Sequence, residues 1–126
     1  MASPALKQFG QEPRFTLAKF HMSVADSVDG LAYVPDANGD LIVASVTDNF
    51  AVYLLNRAKV GDPVTGIVLG TVTAKASGAI GVGKAATLDD YGKIKAAAVA
   101  TDLIIGFVYP IAAVSDGDIV SLIKTA

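Results

Sequence analysis

Gly78-Ala79-Ile80-Gly81-Val82-Gly83-Lys84-Ala85 comes nearer than any other segment of the chain to a known chemical device. Its glycine and lysine spacing is that of the phosphate-cradling loop, in which backbone N–H groups and a lysine hold the anion and the next residue's hydroxyl binds magnesium. Ala85 stands where that Ser or Thr belongs. The loop also needs a strand before it and a helix after it, and here Asp89-Asp90-Tyr91-Gly92 follows within two turns. These glycines therefore read as residues of tight β-turns, and no nucleotide cofactor is expected.

Asp36, Asn38 and Asp40 have the one-residue spacing of the first ligands in a calcium-binding EF-hand loop. Leu41 occupies the place of that loop's bending glycine and Thr47 that of its bidentate Glu, so the segment reads as an Asn-Gly hairpin. Asp89-Asp90 and Asp116-Gly117-Asp118 pair carboxylates as acid/base chemistry would require. Both lie in turn contexts, where Asp serves local backbone hydrogen bonds. His21 is the only histidine and there is no cysteine, which leaves neither a Ser/His/Asp signature nor a clustered zinc set. Lys84 and Lys93 lack the acidic-Lys-Ala tip of lipoyl or biotinyl carriers. The expectation is a protein that is not an enzyme, with no catalytic, cofactor-binding or metal-binding residues.

The elements that would carry these residues are short. Of the 126 residues 52% are apolar and 17% charged, which fits one globular domain with a single core. Tryptophan is absent and Ala, Gly and Val supply much of the apolar total, so the core is expected to be thin and to gain from burial between copies. The net charge is −2 and the ten Lys and Arg are scattered, which argues against a nucleic-acid partner. MASPALKQFGQEPRF has no signal-peptide core, and the apolar run Leu103 to Val114 is broken by Gly106 and Pro110. A soluble protein made in the cytoplasm, with no membrane partner, is expected.

Between Gly30 and Val46 two apolar runs flank Asp36 to Asp40 and predict a hairpin. Thr47 to Ala58 fits a capped helix or a strand, and the run Val52 to Leu55 favours the strand. From Gly61 to Lys124 the predicted strands are 63–69, 70–76, 79–82, 94–99, 104–109 and 119–123, with a capped turn over Thr87 to Gly92 or a single helical turn ending on Gly92. The fold class is mainly all-β: a small β-barrel or β-sandwich body over 23–126, at most one or two short helical turns, and an extended N-terminal arm over 1–22. Three of the five phenylalanines, Phe9, Phe15 and Phe20, fall in that arm. They suit a segment that docks its aromatics on a partner, or a first strand over Arg14 to Phe20 packed on the body, and the two can coexist.

Gly61-Asp62-Pro63-Val64, Gly70-Thr71-Val72, Asp90-Tyr91-Gly92-Lys93-Ile94, Ile104-Ile105-Gly106-Phe107-Val108 and Asp116-Gly117-Asp118-Ile119-Val120 form an ordered series. The series resembles the C-terminal half of the capsid decoration (cement) proteins of tailed bacteriophages. The resemblance implies a homotrimer on the outer surface of the virion, at threefold or quasi-threefold positions, whose partner is the major capsid protein and which stabilises the shell. On that reading Phe9, Pro13, Arg14, Phe15 and Phe20 are the expected capsid contacts. The alternative is a receptor- or carbohydrate-binding module of a phage fibre or other surface structure. The body offers little of the aromatic platform that sugars favour: Tyr33, Phe50, Tyr53, Tyr91, Phe107 and Tyr109, with no Trp.

Overall fold

The computed structural model describes residues 16–23, 25–98 and 101–126. Over these the chain is all-β as expected, with strands β1 (Thr16–His21), β2 (Ala32–Pro35), β3 (Leu41–Val43), β4 (Val52–Leu54), β5 (Pro63–Lys75), β6 (Ala85–Leu88), β7 (Ile94–Ala96), β8 (Gly106–Val108) and β9 (Ile119–Lys124). A single 3-10 turn, Asp90–Gly92, is the one helical feature among the described residues. All strand pairs are antiparallel, in the order β3-β2-β4-β5-β9-β8-β6-β7, with β1 added to β5.

The 13-residue β5, about 40 Å long at roughly 3.3 Å per residue, joins two curled halves. Its first part pairs with β1 and β4, and its second part with β9. In the first half β1, β5, β4, β2 and β3 curl until a parallel bridge joins Met22 to Leu41, and Ser23 N donates to Leu41 O at 3.0 Å. In the second, β5, β9, β8, β6 and β7 curl until Ala76 bridges Ile94, and Ser77 N donates to Ile94 O at 2.8 Å.

Each half has its own apolar cluster. Met22, Tyr33, Leu41, Val52 and Val64 fill the first, with Phe20, Leu31, Leu54 and Ala58 packed against them. Val72, Ala74, Ala76, Ile80, Leu88, Ile94, Ile105, Val108, Val120 and Leu122 form most of the second. Ala32, Tyr53 and Ile67 also belong to the second cluster, so β2 and β4 are buried on both faces. Small side chains are frequent in it, as the composition suggested: Ala32, Ala44, Ala51, Ala74, Ala76, Ala86 and Ala113 are all buried there.

The β2–β3 hairpin forms where Asn-Gly predicts it. Gly39 takes φ +83°, and Asp36 Oδ1 accepts from Asn38 N at 2.8 Å and Asp40 N at 3.0 Å. Elsewhere glycine is a poorer guide. Gly70 does not end a strand: the segments expected at 63–69 and 70–76 are one strand, in which Gly70 adopts φ +119°. Gly106 opens β8, within the strand expected at 104–109, where an added Cβ would meet the backbone of Ile123 in β9. The strand expected at 79–82 is reduced to the bridge Ile80–Ala113, and Thr87 and Leu88 end β6 instead of starting a turn. Of the 47–58 segment, Val52–Leu54 is strand.

Gly66 sits where β1, β4 and β5 meet, and a Cβ there would collide with Val52 Cγ1 and lie 3.0 Å from the Phe20 ring. Gly66→Ala is expected to cost about 2 kcal/mol through overpacking, read as a lower denaturant midpoint at unchanged slope.

Candidate functional site

The segment that resembles a phosphate loop is built as paired backbone and turns. Ile80 and Ala113 exchange N–H to O bonds of 3.0 Å, Lys84 N closes a turn on Gly81 O at 3.1 Å, and Gly83, at φ +77°, donates to Val108 O at 2.6 Å. The chain then enters β6, so no helix N-terminus faces these glycines.

The carboxylates that tempt a catalytic reading are committed to holding turns. Ser77 Oγ donates to Asp89 Oδ2 at 2.6 Å and, with the Asp90 N–H, holds the Asp89 carboxyl below the usual range. Asp118 Oδ2 accepts from the N–H groups of Val114 and Ser115 at 2.9 and 3.0 Å, which lowers its pKa in the same way. Burial would raise the Asp36 pKa, but bonds from Asn38, Asp40 and Ser23 outweigh it and the net shift is downward. Asp116 pairs with Lys93 Nζ at 2.9 Å. Asp36, Asp89 and Asp118 therefore stay ionised and are poor general acids. Among the described residues no three of His, Cys, Asp and Glu gather closely enough to hold a metal ion, and His21 is exposed at the end of β1.

The most unusual ionisable group is one the sequence pattern did not single out. Lys124, the last residue of β9, is 2% exposed. Val120 and Leu122 point inward on the same strand, so period-2 alternation carries Lys124 inward as well. Its register partners are Gly70 in β5 and Gly106 in β8. Nζ donates to Val68 O at 2.5 Å and to Ala126 O, and lies 5.7 Å from the centre of the Phe50 ring. Burial lowers its pKa to about 8.

Two surface features remain. A cleft of about 530 Å³ lies between the 27–31 and 54–57 segments and the outer side of β5 and β9 at Thr71, Thr73 and Ser121. At its rim Arg57 forms a two-point ion pair with Asp29, at 3.1 and 2.6 Å. Tyr53 also borders it, yet its hydroxyl is buried without a hydrogen-bond partner among the described residues. The second feature is the outward face of β5, β9 and β8. Thr71 lies opposite Ile123, and Ile123 opposite Phe107, while Ile119 stands further along β9 and Tyr109 just past the end of β8. These four apolar side chains are 40 to 56% exposed. They are legible in the alternation of Ile119 to Ile123 only once the inward face is known.

Of the expected arm contacts, Phe9, Pro13, Arg14 and Phe15 lie outside the described residues. Phe20 is in β1, opposite Val64, half-buried against the first cluster.

The class this geometry defines is an all-β body in which two curled halves share one long strand. No protein-family model matches the chain, and no curated protein matches it. Among solved structures it is similar to the crystal structure of the head fiber gp8.5 N base in bacteriophage phi29. The TM-score is 0.62 at 18% identity, over 87% of this chain and 95% of that one, and the likeness establishes a shared fold.

Two outcomes test the buried polar groups. Because folding lowers the Lys124 pKa, the unfolded chain binds the extra proton between about pH 8 and the ordinary lysine value of 10.5, so stability rises with pH across that window. Lys124→Met is expected to remove this rise, measured as the difference between wild-type and variant denaturation midpoints from pH 7.5 to 9.5. Tyr53→Phe deletes an unpaired hydroxyl and keeps the ring, so its stability should equal the wild type or exceed it by about 1 kcal/mol in the same assay.

Proposed function

We propose that the protein is a structural component of a tailed-phage head that acts without catalysis. It coats the outer surface of the major capsid protein lattice as a homotrimer at threefold or quasi-threefold positions and stabilises the shell. The observation that carries this reading is the fold shared with 95% of a head-fiber base. It is joined by the commitment of Asp36, Asp89 and Asp118 to turns, which leaves them unsuited to acid chemistry.

The decoration-protein series maps onto connected parts of this fold. Gly61 to Val64 opens β5, Asp90 to Ile94 is the 3-10 turn leading into β7, Ile104 to Val108 leads through β8, and Asp116 to Val120 opens β9. Phe9, Pro13, Arg14 and Phe15 are the proposed capsid contacts, joined to the body where β1 begins beside Leu69, with Phe20 holding that junction to the first cluster. Many weak contacts repeated on a symmetric lattice give strong retention. The receptor- or carbohydrate-binding alternative gains nothing from the cleft, whose single aromatic lining residue, Tyr53, is buried.

The test is co-sedimentation with purified undecorated heads, followed by imaging of the decorated particles. Density at threefold positions is expected, and Phe9→Ala with Phe15→Ala should weaken binding tenfold or more. Failure of the folded protein to bind heads at micromolar concentration overturns the reading.

A further inference from the structure

We propose that the outward face of β5, β9 and β8 is the surface through which copies of this chain meet, which rests on the homotrimer reading above and gives it a location. A row of directly opposed residues runs across the strands: Thr71 of β5, Ile123 of β9, Phe107 of β8 and Ala85 of β6. Directly opposed residues of antiparallel strands share a face. Beside this row lie Thr73 and Ser121, which are opposed in the ladder, and Tyr109, whose N–H donates to Ser121 O at 3.2 Å. Ile119 stands two residues further along β9.

Four observations favour a second copy as the occupant. First, Ile119, Ile123, Phe107 and Tyr109 are 47, 40, 43 and 56% exposed although they stand on regular strands or beside one. Second, at about 200 Å² for a fully exposed large apolar side chain, they present roughly 400 Å² of apolar surface, the scale of the largest patch on a monomer. That is half of the roughly 800 Å² per partner found in a stable interface, and Thr71, Thr73, Ser121 and the adjoining cleft supply continuous surface around it.

Third, the face is almost free of charge. Lys75, opposite Ile119, is the single ionisable residue among those placed on these three strands' outward side. Copies meeting here bring no rows of like charge together, and the charges at the rim of the adjoining cleft, Arg57 and Asp29, already pair with each other. Fourth, further exposed apolar side chains lie in the loops that precede β6 and follow β8, Val82 at 50% and Ile111 at 60%. A protomer has no use for these groups in its own core. Ala74, Ala76, Val120 and Leu122, on the inward side of β5 and β9, already fill it.

The experiment is analytical ultracentrifugation of the full chain and of variants on this face, with thermal melts by circular dichroism as the folding control. The wild type is expected to sediment as an assembly of 12.9 kDa chains. Ile123→Lys and Phe107→Asp should dissociate to folded monomers, with an association constant reduced a hundredfold or more. Thr71→Glu removes no apolar contact from either cluster and should dissociate the assembly in the same way if the first two variants misfold. Tyr91→Asn changes a side chain that is 79% exposed on the 3-10 turn, away from this face, and should leave the assembly intact.

A wild type that is monomeric at 50 µM, or an assembly indifferent to all three face variants, overturns the proposal. Head binding measured in parallel separates the two readings. A folded monomeric wild type that still decorates heads sinks the self-association surface alone, while an assembly through this face that ignores heads sinks the proposed function alone.

Discussion

One strand has to satisfy two interiors, and this constraint governs the rest of the structure. β5 contributes Val64 to one cluster and Val72 and Ala74 to the other, and it accepts β1, β4 and β9 as neighbours along its length. A straight alternating strand twists smoothly and serves one concave face. Gly70, at φ +119°, lies between the part of β5 that pairs with β1 and β4 and the part that pairs with β9, and its register partner across the ladder is Lys124. The junction between the halves thus combines a backbone only glycine adopts easily with a buried ammonium that donates to the carbonyl of Val68 in β5. Burying a charge opposes folding unless its hydrogen bonds are met, so Lys124 fastens the waist through its directional bonds to Val68 O and Ala126 O.

Closeness of backbones is the second theme. Gly66 and Gly106 are not turn residues: each is a place where a neighbouring strand or side chain comes too near for a Cβ. The alanines of the second cluster work in the same direction, since a core lined by methyl groups lets sheets curl tightly. Dense packing with small side chains leaves the larger apolar residues, Phe107, Tyr109, Ile119 and Ile123, without inward positions to occupy.

Much of this was readable from residue types. Short strands, the Asn38-Gly39 hairpin, the absence of a phosphate loop and a small-residue core all follow from local chemistry that the fold respects. What escaped depended on partners distant in sequence. Gly70 looked like punctuation because a lone glycine in a β-run has two meanings, a turn or a close approach, and only the neighbouring strand decides between them. β6 was missed because Ala85-Ala86-Thr87-Leu88 has weak strand propensity and is held by β7 and β8 on its two sides. Lys124 was passed over because a terminal lysine is usually solvated, and its burial is a consequence of register. The outward apolar face was invisible for the same reason, since alternation separates two faces without saying which one is covered.

The parallel bridges that finish each curl, Met22 to Leu41 and Ala76 to Ile94, bear on how such a body behaves when crowded. An open sheet ends in a row of unpaired N–H and C=O groups that invites any similar chain to continue it. Here the last strands of the two halves, β3 and β7, are three residues each, and each is bridged at one position by the residue that follows the strand that began its half. A protein built this way can be packed at high local concentration with little template for strand addition, which leaves side-chain surfaces to decide what it joins.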